Sequence, residues 1–418
     1  MKIKSTFHFR VNRGVGYYLI SVIFLLILSF SMFNILLWSH DKSGILKLCS
    51  KFSLLGAFAC ELAYLLVHMY AKRRFTVISV VAFAFIIYEF VITMLTNRYG
   101  IVGFVIDGAV WPLTFVTFEL YAMYTEREVI RKQLHPIMLT IIPLCTLLLI
   151  TNIRIHLNST NHGENGGNVG PVYFLLSFMG LILLLGSKKE KLIFAVWFSA
   201  MILASTKRGG FVILATGLCG YYIINQTRRG NFREKLKKYA KFIVLGVAVA
   251  IIVYYIMVQM QLEILDRLLN MQEDEGSGRF EAWAKVLLFY RRSGLFKKIF
   301  GHGFHAVPFE VKPLGHNIYA HDSYLETLYD FGLVGVTVLI IVVLWLCVQA
   351  LKLIKSRNPD AAAITYTLVE ILVLSLIGYF FDESRFILCV AIVWGIALGN
   401  NMNYREKILR KIKEVIPC

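Results

Sequence analysis

Three short stretches of this chain carry side chains able to do chemistry. The first is Lys207-Arg208-Gly209-Gly210, two cations followed by two glycines. Cations hold anions and glycines let a ligand approach the backbone. A helix starting there adds free N–H groups and a partial positive charge, so the stretch suits a phosphate. The second is Gly278-Arg279, with Trp283 four residues beyond the arginine. An arginine in the first turn of a helix opposes the helix dipole, which suggests an anionic partner. The third is His321-Asp322. Histidine titrates near neutrality and is the usual general base, while Asp322 is a good N-cap for a following helix. His321 would then sit on a rigid element.

Each stretch also has a plainer reading. Lys207 and Arg208 could be an interfacial pair whose charges snorkel to water. Arg279 could pair with Glu281 or with the Glu273-Asp274-Glu275 run. Asp322, Glu326 and Asp330 share one helix face and could orient His321 or an acceptor hydroxyl; for Asp330 the expectation is a solvated acid. His302, His305, His316 and His321 lie close together in sequence but match no zinc signature, so no metal is expected.

These residues need a scaffold, and composition says which. The chain is 57% hydrophobic and 17% charged, with a mean hydropathy of +0.65. A soluble domain could not hide so much apolar surface, so the fold class is an all-α polytopic membrane protein. About twelve apolar runs are long enough to span, near 17–39, 44–70, 75–96, 100–124, 135–150, 171–186, 191–205, 209–225, 241–260, 332–351, 361–379 and 386–400. Three regions follow: residues 1–260 with nine spans, 261–331 as one long polar loop with amphipathic helices, and 332–418 with three spans and a basic tail. No internal repeat is evident. The cysteines lie mostly in apolar runs and read as small hydrophobes.

The formal charge of +18 would by itself admit nucleic acid, but its distribution argues against that partner. Most Lys and Arg fall in alternate short loops, such as Lys72-Arg73-Arg74, Arg127 to Lys132, Lys188 to Lys191 and Lys352 to Arg357. By the positive-inside rule these loops and both termini are cytoplasmic. The long loop, Arg208, Arg279, His321 and Arg385 then share the outer side. Phe280, Trp283, Ala284, Leu287 and Leu288 form a helical apolar stripe expected to lie along the outer membrane surface. Glu61, Glu89, Asp107, Glu119 and Glu370 interrupt apolar runs. They are either functional carboxylates or pairs between helices. Asp107 is placed to reach the outer cavity.

Taken in order, Arg208-Gly209, Gly278-Arg279 with Trp283, Gly301-His302-Gly303-Phe304, and His321, Asp322, Tyr324, Leu325, Gly332 and Gly335 resemble the O-antigen ligase/polymerase superfamily of bacterial surface-polysaccharide assembly. The resemblance covers roughly residues 200–350. It departs from the family's pattern at Asp322, where Asn or Ser is commoner, and His316-Asn317 offers a second candidate for the key histidine. It implies a metal-independent inverting glycosyltransferase with no cofactor, acting on an undecaprenyl-pyrophosphate-linked oligosaccharide. Carried over by position, Arg208 and Arg279 would hold the pyrophosphate and His321 would activate the acceptor hydroxyl. Lys207, Gly209, Trp283, His316, Asp322 and Glu326 would line the substrate site.

Two guanidinium groups could stabilise the departing pyrophosphate, and a base could take the acceptor's proton. The implied setting is the bacterial inner membrane, with membrane lipids, a flippase and a chain-length regulator as partners. The spans would form a cavity for the polyprenyl tail. Within the superfamily, HDSYLETLYDFGLVG resembles polymerases more than ligases. A lipid-linked oligosaccharide flippase is the alternative from another class, but it needs no large outer loop and should carry its charges along a midplane path.

Overall fold

The computed structural model of the chain describes residues 3–39, 44–71, 73–97, 100–159, 170–205, 207–227, 279–311, 319–378, 380–382 and 384–415. Among them are helices and turns and no strand, so the all-α expectation holds. The expected span at 241–260, the beginning of the long loop and His316 lie outside the described residues.

The helices are α1 Ile3–Ser39, α2 Gly44–Tyr70, α3 Val77–Thr96, α4 Ile101–Tyr124, α5 Arg127–Ser159, α6 Tyr173–Leu185, α7 Lys188–Ala204, α8 Arg208–Thr227, α9 Arg279–Arg292, α10 Leu295–Phe300, α11 Ala306–Glu310, α12 Ser323–Lys355, α13 Ala361–Ile377 and α14 Ser384–Val415. Among the described residues, seven are long and apolar enough to cross a membrane: α1 to α5, α12 and α14. α6 and α13 are apolar but shorter. The expected short span at 135–150 is part of a 33-residue helix that continues through Pro136 and Pro143. A proline is tolerated there because neighbouring helices can satisfy the backbone groups it frees. α4 contains a π-turn at Phe104–Gly108, which carries Asp107. That carboxylate accepts a 2.6 Å hydrogen bond from Ser384 and ties α4 to the start of α14.

The core is an apolar bundle in which α4 and α14 meet most closely. A Cβ at Gly395 or Gly399 would run into the Phe115 or Glu119 carbonyl. Two small residues four apart let the helix backbones touch. The buried carboxylates pair between helices. Glu61 accepts from Thr114 at 2.5 Å, Glu119 from Thr76 at 2.8 Å, and Glu370 from Ser177 at 2.5 Å. Since a lone charge in lipid is costly, each has been given a hydroxyl.

The two ends of the bundle differ. At one end the basic loops converge. Arg127 meets Asp360 at 2.5 Å, Arg131 Nε donates to the Leu185 carbonyl at 2.9 Å, His135 lies 2.8 Å from Glu190, and Arg73 sits over the Tyr124 ring. The loops that the charge count groups together in sequence are therefore together in space. The other end carries α9 to α11, the turn before α12, and the start of α8.

Candidate active site

The segment with the histidines is docked on the bundle through two glycines. Gly332 has φ 64° and ψ −164°, which breaks α12 into two pieces. Gly332 thus separates the helix capped by Asp322 from the expected span at 332–351. The break exists because the Gly301 turn crosses at this point. A Cβ on Gly332 would strike the Ile299 carbonyl, and one on Gly301 would strike the Asp330 carbonyl. Only glycine allows both the close approach and the positive φ. His302 N–H and Gly303 N–H donate to the Tyr329 and Asp330 carbonyls at 3.1 and 2.8 Å. Phe304 is fully buried between Phe104 and Phe331. Its backbone is held from α3 by Thr93 at 3.1 Å and Asn97 at 2.9 Å.

Asp330 is not a solvated acid. It is 1% exposed and accepts the backbone N–H groups of His305 at 2.7 Å, Ala306 at 3.0 Å and Val307 at 3.3 Å. It thus satisfies the free amides at the start of α11, where His305 takes a left-handed conformation with φ 55°. His302 is likewise committed to structure. Its Nδ1 meets Glu310 at 2.5 Å, its Nε2 lies 2.8 Å from Ser293, and its ring stacks on Tyr329 with centroids 4.1 Å apart. Burial pushes the Glu310 carboxyl up. Hydrogen bonds from His302 and Tyr329, with the charges of His302 and Lys297, outweigh that and hold it at about 2.

His321 is presented by a turn built from its neighbours. The Ala320 carbonyl accepts the indole N–H of Trp283 at 2.7 Å. The Ala320 N–H donates to the buried Glu326 carboxylate at 2.5 Å. Asp322 caps α12 by accepting the Leu325 N–H at 2.9 Å; burial raises its carboxyl above the usual range while that bond opposes the shift. Between these anchors His321 is held at φ 51°, a conformation that costs energy and so must be imposed by its surroundings. His321 as a whole reaches solvent, while protein packs around part of its ring.

Arg279 opens α9 and Lys207 precedes α8, and both act on the His321 ring. Protein packed around the ring, then the charges of Arg279 and Lys207, hold its pKa below the ordinary value. Arg279 is also within electrostatic reach of Tyr173. Tyr173 leans over the α8 start, where a Cβ on Gly209 would come 3.1 Å from its hydroxyl. Arg208 is the first residue of α8, and its side chain lies outside what the structure describes. Lys207, the Gly209 backbone, Arg279 and His321 therefore gather at one place, while Trp283, Asp322 and Glu326 shape the turn beside it. Glu281 meets Lys285 at 2.5 Å. On α9 the buried residues are Ala282 and Val286, and Phe280 is 62% exposed, so part of the expected stripe faces away from the protein.

Tyr173 was not anticipated, since in sequence it is one more aromatic at the start of an apolar run. Nor was the use of Trp283 as a backbone donor. Residues 193–340 match the protein family described as O-antigen ligase. No curated protein matches the chain. The matched stretch runs from α7 into α12 and contains Lys207, Arg279 and His321. This match supports the resemblance of this part of the chain to the O-antigen ligase/polymerase superfamily.

Proposed function

We propose that the chain is a membrane glycosyltransferase that joins polyprenyl-pyrophosphate-linked oligosaccharide repeat units into O-antigen, capsule or exopolysaccharide. The observation that carries this reading is the action of two cations distant in sequence, Lys207 and Arg279, on one imidazole at the bundle end away from the basic loops. With its pKa held down, His321 is the neutral base. It takes the proton of the acceptor hydroxyl as that oxygen attacks the anomeric carbon. The bond from that carbon to the pyrophosphate oxygen breaks, and the electron pair leaves with the pyrophosphate. Arg279, Lys207, Arg208 and the free N–H groups of α8 receive the developing charge. Attack opposite the leaving group inverts the sugar carbon. Asp322, Glu326 and Trp283 act by positioning His321.

The positive-inside rule puts the basic end in the cytoplasm and this site on the outer face of the inner membrane. A narrow apolar cavity of about 90 Å³ between α3, α4, α12 and α14, with Trp111, Trp345 and Trp394 in its wall, supports a place for part of a lipid tail. The family description favours a second reading with the same chemistry: a ligase that moves finished polymer from the carrier to lipid A-core.

The test is complementation of a deletion strain, read as a polysaccharide ladder on a gel. Arg279→Ala and His321→Ala, expressed at the wild-type level, should abolish polymer. Normal polymer from both would refute the proposed site. Accumulation of lipid A-core with a single repeat unit identifies a polymerase, and accumulation of full-length polymer on the carrier lipid identifies a ligase.

A further inference from the structure

Tyr173, the first residue of α6, lies against the start of α8. The short turn Gly170–Val172, with Pro171 and Val172 buried, fixes how the chain enters α6. The Tyr173 ring packs edge-on against Phe386 near the start of α14, with centroids 6.0 Å apart and planes at 77°. The two glycines of α8 lie against it as well. A Cβ on Gly210 would come 3.8 Å from ring carbon Cε1, and one on Gly209 would come 3.1 Å from the hydroxyl oxygen. Any other residue at 209 would press on that oxygen. The glycine pair therefore makes room for this ring.

What this packing presents is the hydroxyl. It makes no hydrogen bond among the described residues. It is not sealed in the protein either: the side chain is partly exposed, and its oxygen is not one of the buried atoms that lack a partner. A phenol on a well-packed ring usually finds a partner, so an open one is a donor kept for a group that arrives. Arg279 is within electrostatic reach of both this phenol and the His321 imidazole. Phenol, guanidinium and imidazole therefore share one region, supplied by α6, α9 and the turn before α12. Of the groups in the proposed reaction, the pyrophosphate is the one with acceptor oxygens enough for a guanidinium and a phenol together.

We propose that the Tyr173 hydroxyl contacts the donor substrate directly, giving a hydrogen bond to a pyrophosphate oxygen beside Arg279. This inference rests on the glycosyltransferase reading of the site. The phenol keeps its proton throughout. The acceptor's proton still goes to His321, and the electron pair of the broken bond still leaves with the pyrophosphate. A hydrogen bond to an anion strengthens as charge builds on it, so Tyr173 stabilises the departing group. Being uncharged, it does so without placing a further cation beside His321.

The test is calorimetric titration of the full-length protein in detergent with farnesyl pyrophosphate, for the wild type, Tyr173→Phe and Arg279→Ala. Tyr173→Phe keeps the ring against Phe386 and the glycines and removes only an unpartnered hydroxyl, so the fold is kept. It should weaken binding by about tenfold. The acid limb of its kcat/KM profile should stay where the wild type has it, because the phenol carries no charge; a merely structural role would shift Arg279 relative to His321 and move that limb. A second measurement needs no variant. In the wild type, farnesyl pyrophosphate should slow the nitration of Tyr173 by tetranitromethane, read by mass spectrometry of its peptide. Unchanged affinity in Tyr173→Phe, a moved acid limb, or nitration unaffected by the ligand overturns the role of Tyr173, and weakened binding in Arg279→Ala then leaves the reading of the site standing. If farnesyl pyrophosphate does not bind the wild type, or binds Arg279→Ala equally well, the reading of the site fails and this inference with it.

Discussion

The indole nitrogen of Trp283 donates to the carbonyl oxygen of Ala320 at 2.7 Å, so the helix that opens with Arg279 is tied to the residue before His321. One helix thereby carries the cation and fixes the turn that carries the base. Trp283→Phe keeps the ring and removes the donor. The lost hydrogen bond is worth about 1 kcal/mol, which corresponds to a drop of several-fold to tenfold in the rate of polymer formation by purified enzyme. The protein should still express and melt near the wild-type temperature. A wild-type rate in Trp283→Phe would show that the indole does not position the histidine.

The pH profile of kcat/KM tests the electrostatics of His321. Its packed surroundings, then Arg279 and Lys207, lower its pKa. A base must be neutral to act, and a lowered pKa keeps it neutral to a lower pH. The acid limb should therefore fall below the ordinary histidine value of about 6.5. Lys207→Gln deletes one of the cations and should move that limb upward. An unmoved limb in this variant would break the proposed link.

Gly332→Ala should destabilise the protein strongly. The residue sits at φ 64°, and a Cβ would collide with the backbone of the Gly301 turn. Left-handed strain alone costs about 1 kcal/mol, and the collision adds to it. Thermal melting in detergent should show the loss. The same change at Gly294, where a Cβ would meet nothing within 4 Å, should move the midpoint far less.

Glu310 should make the outer segment sensitive to acid. Its carboxyl is held at about 2 in the folded protein, below the ordinary 4.5. A depressed carboxyl stabilises the fold above its unfolded pKa. That contribution fades as pH falls from about 4.5 toward about 2. Hydrogen exchange of α10 and α11 should quicken over this range in the wild type. In Glu310→Gln it should already be fast at pH 6 and change less with acid.

Much of the scaffold was readable in the chain. Span positions such as 44–70 follow from the length of the apolar run, because lipid offers backbone groups no water and forces an uninterrupted helix. The gathering of Arg73, Arg74, Arg127 to Lys132 and Lys188 to Lys191 at one end follows from their alternate placement in sequence. Lys207, Arg279 and His321 were readable as charged or titratable residues at expected helix starts. Their roles in partner contacts were not. Asp330 reads as a solvent-facing acid until the His305–Val307 segment lays three amides on it. Tyr173 belongs to an apolar run and acquires meaning only from what lies across the gap. By itself, then, the sequence determined the membrane fold, the alternation of its loops and the residue types available for anion and proton chemistry. Periodicity and charge are local properties and survive in one dimension. Only the tertiary structure decided that Lys207 and Arg279 come within electrostatic reach of His321, and that Trp283, Glu326 and Asp330 hold backbone in place. A hydrogen bond between distant residues depends on the crossing of two chains, and no spacing along one chain encodes it.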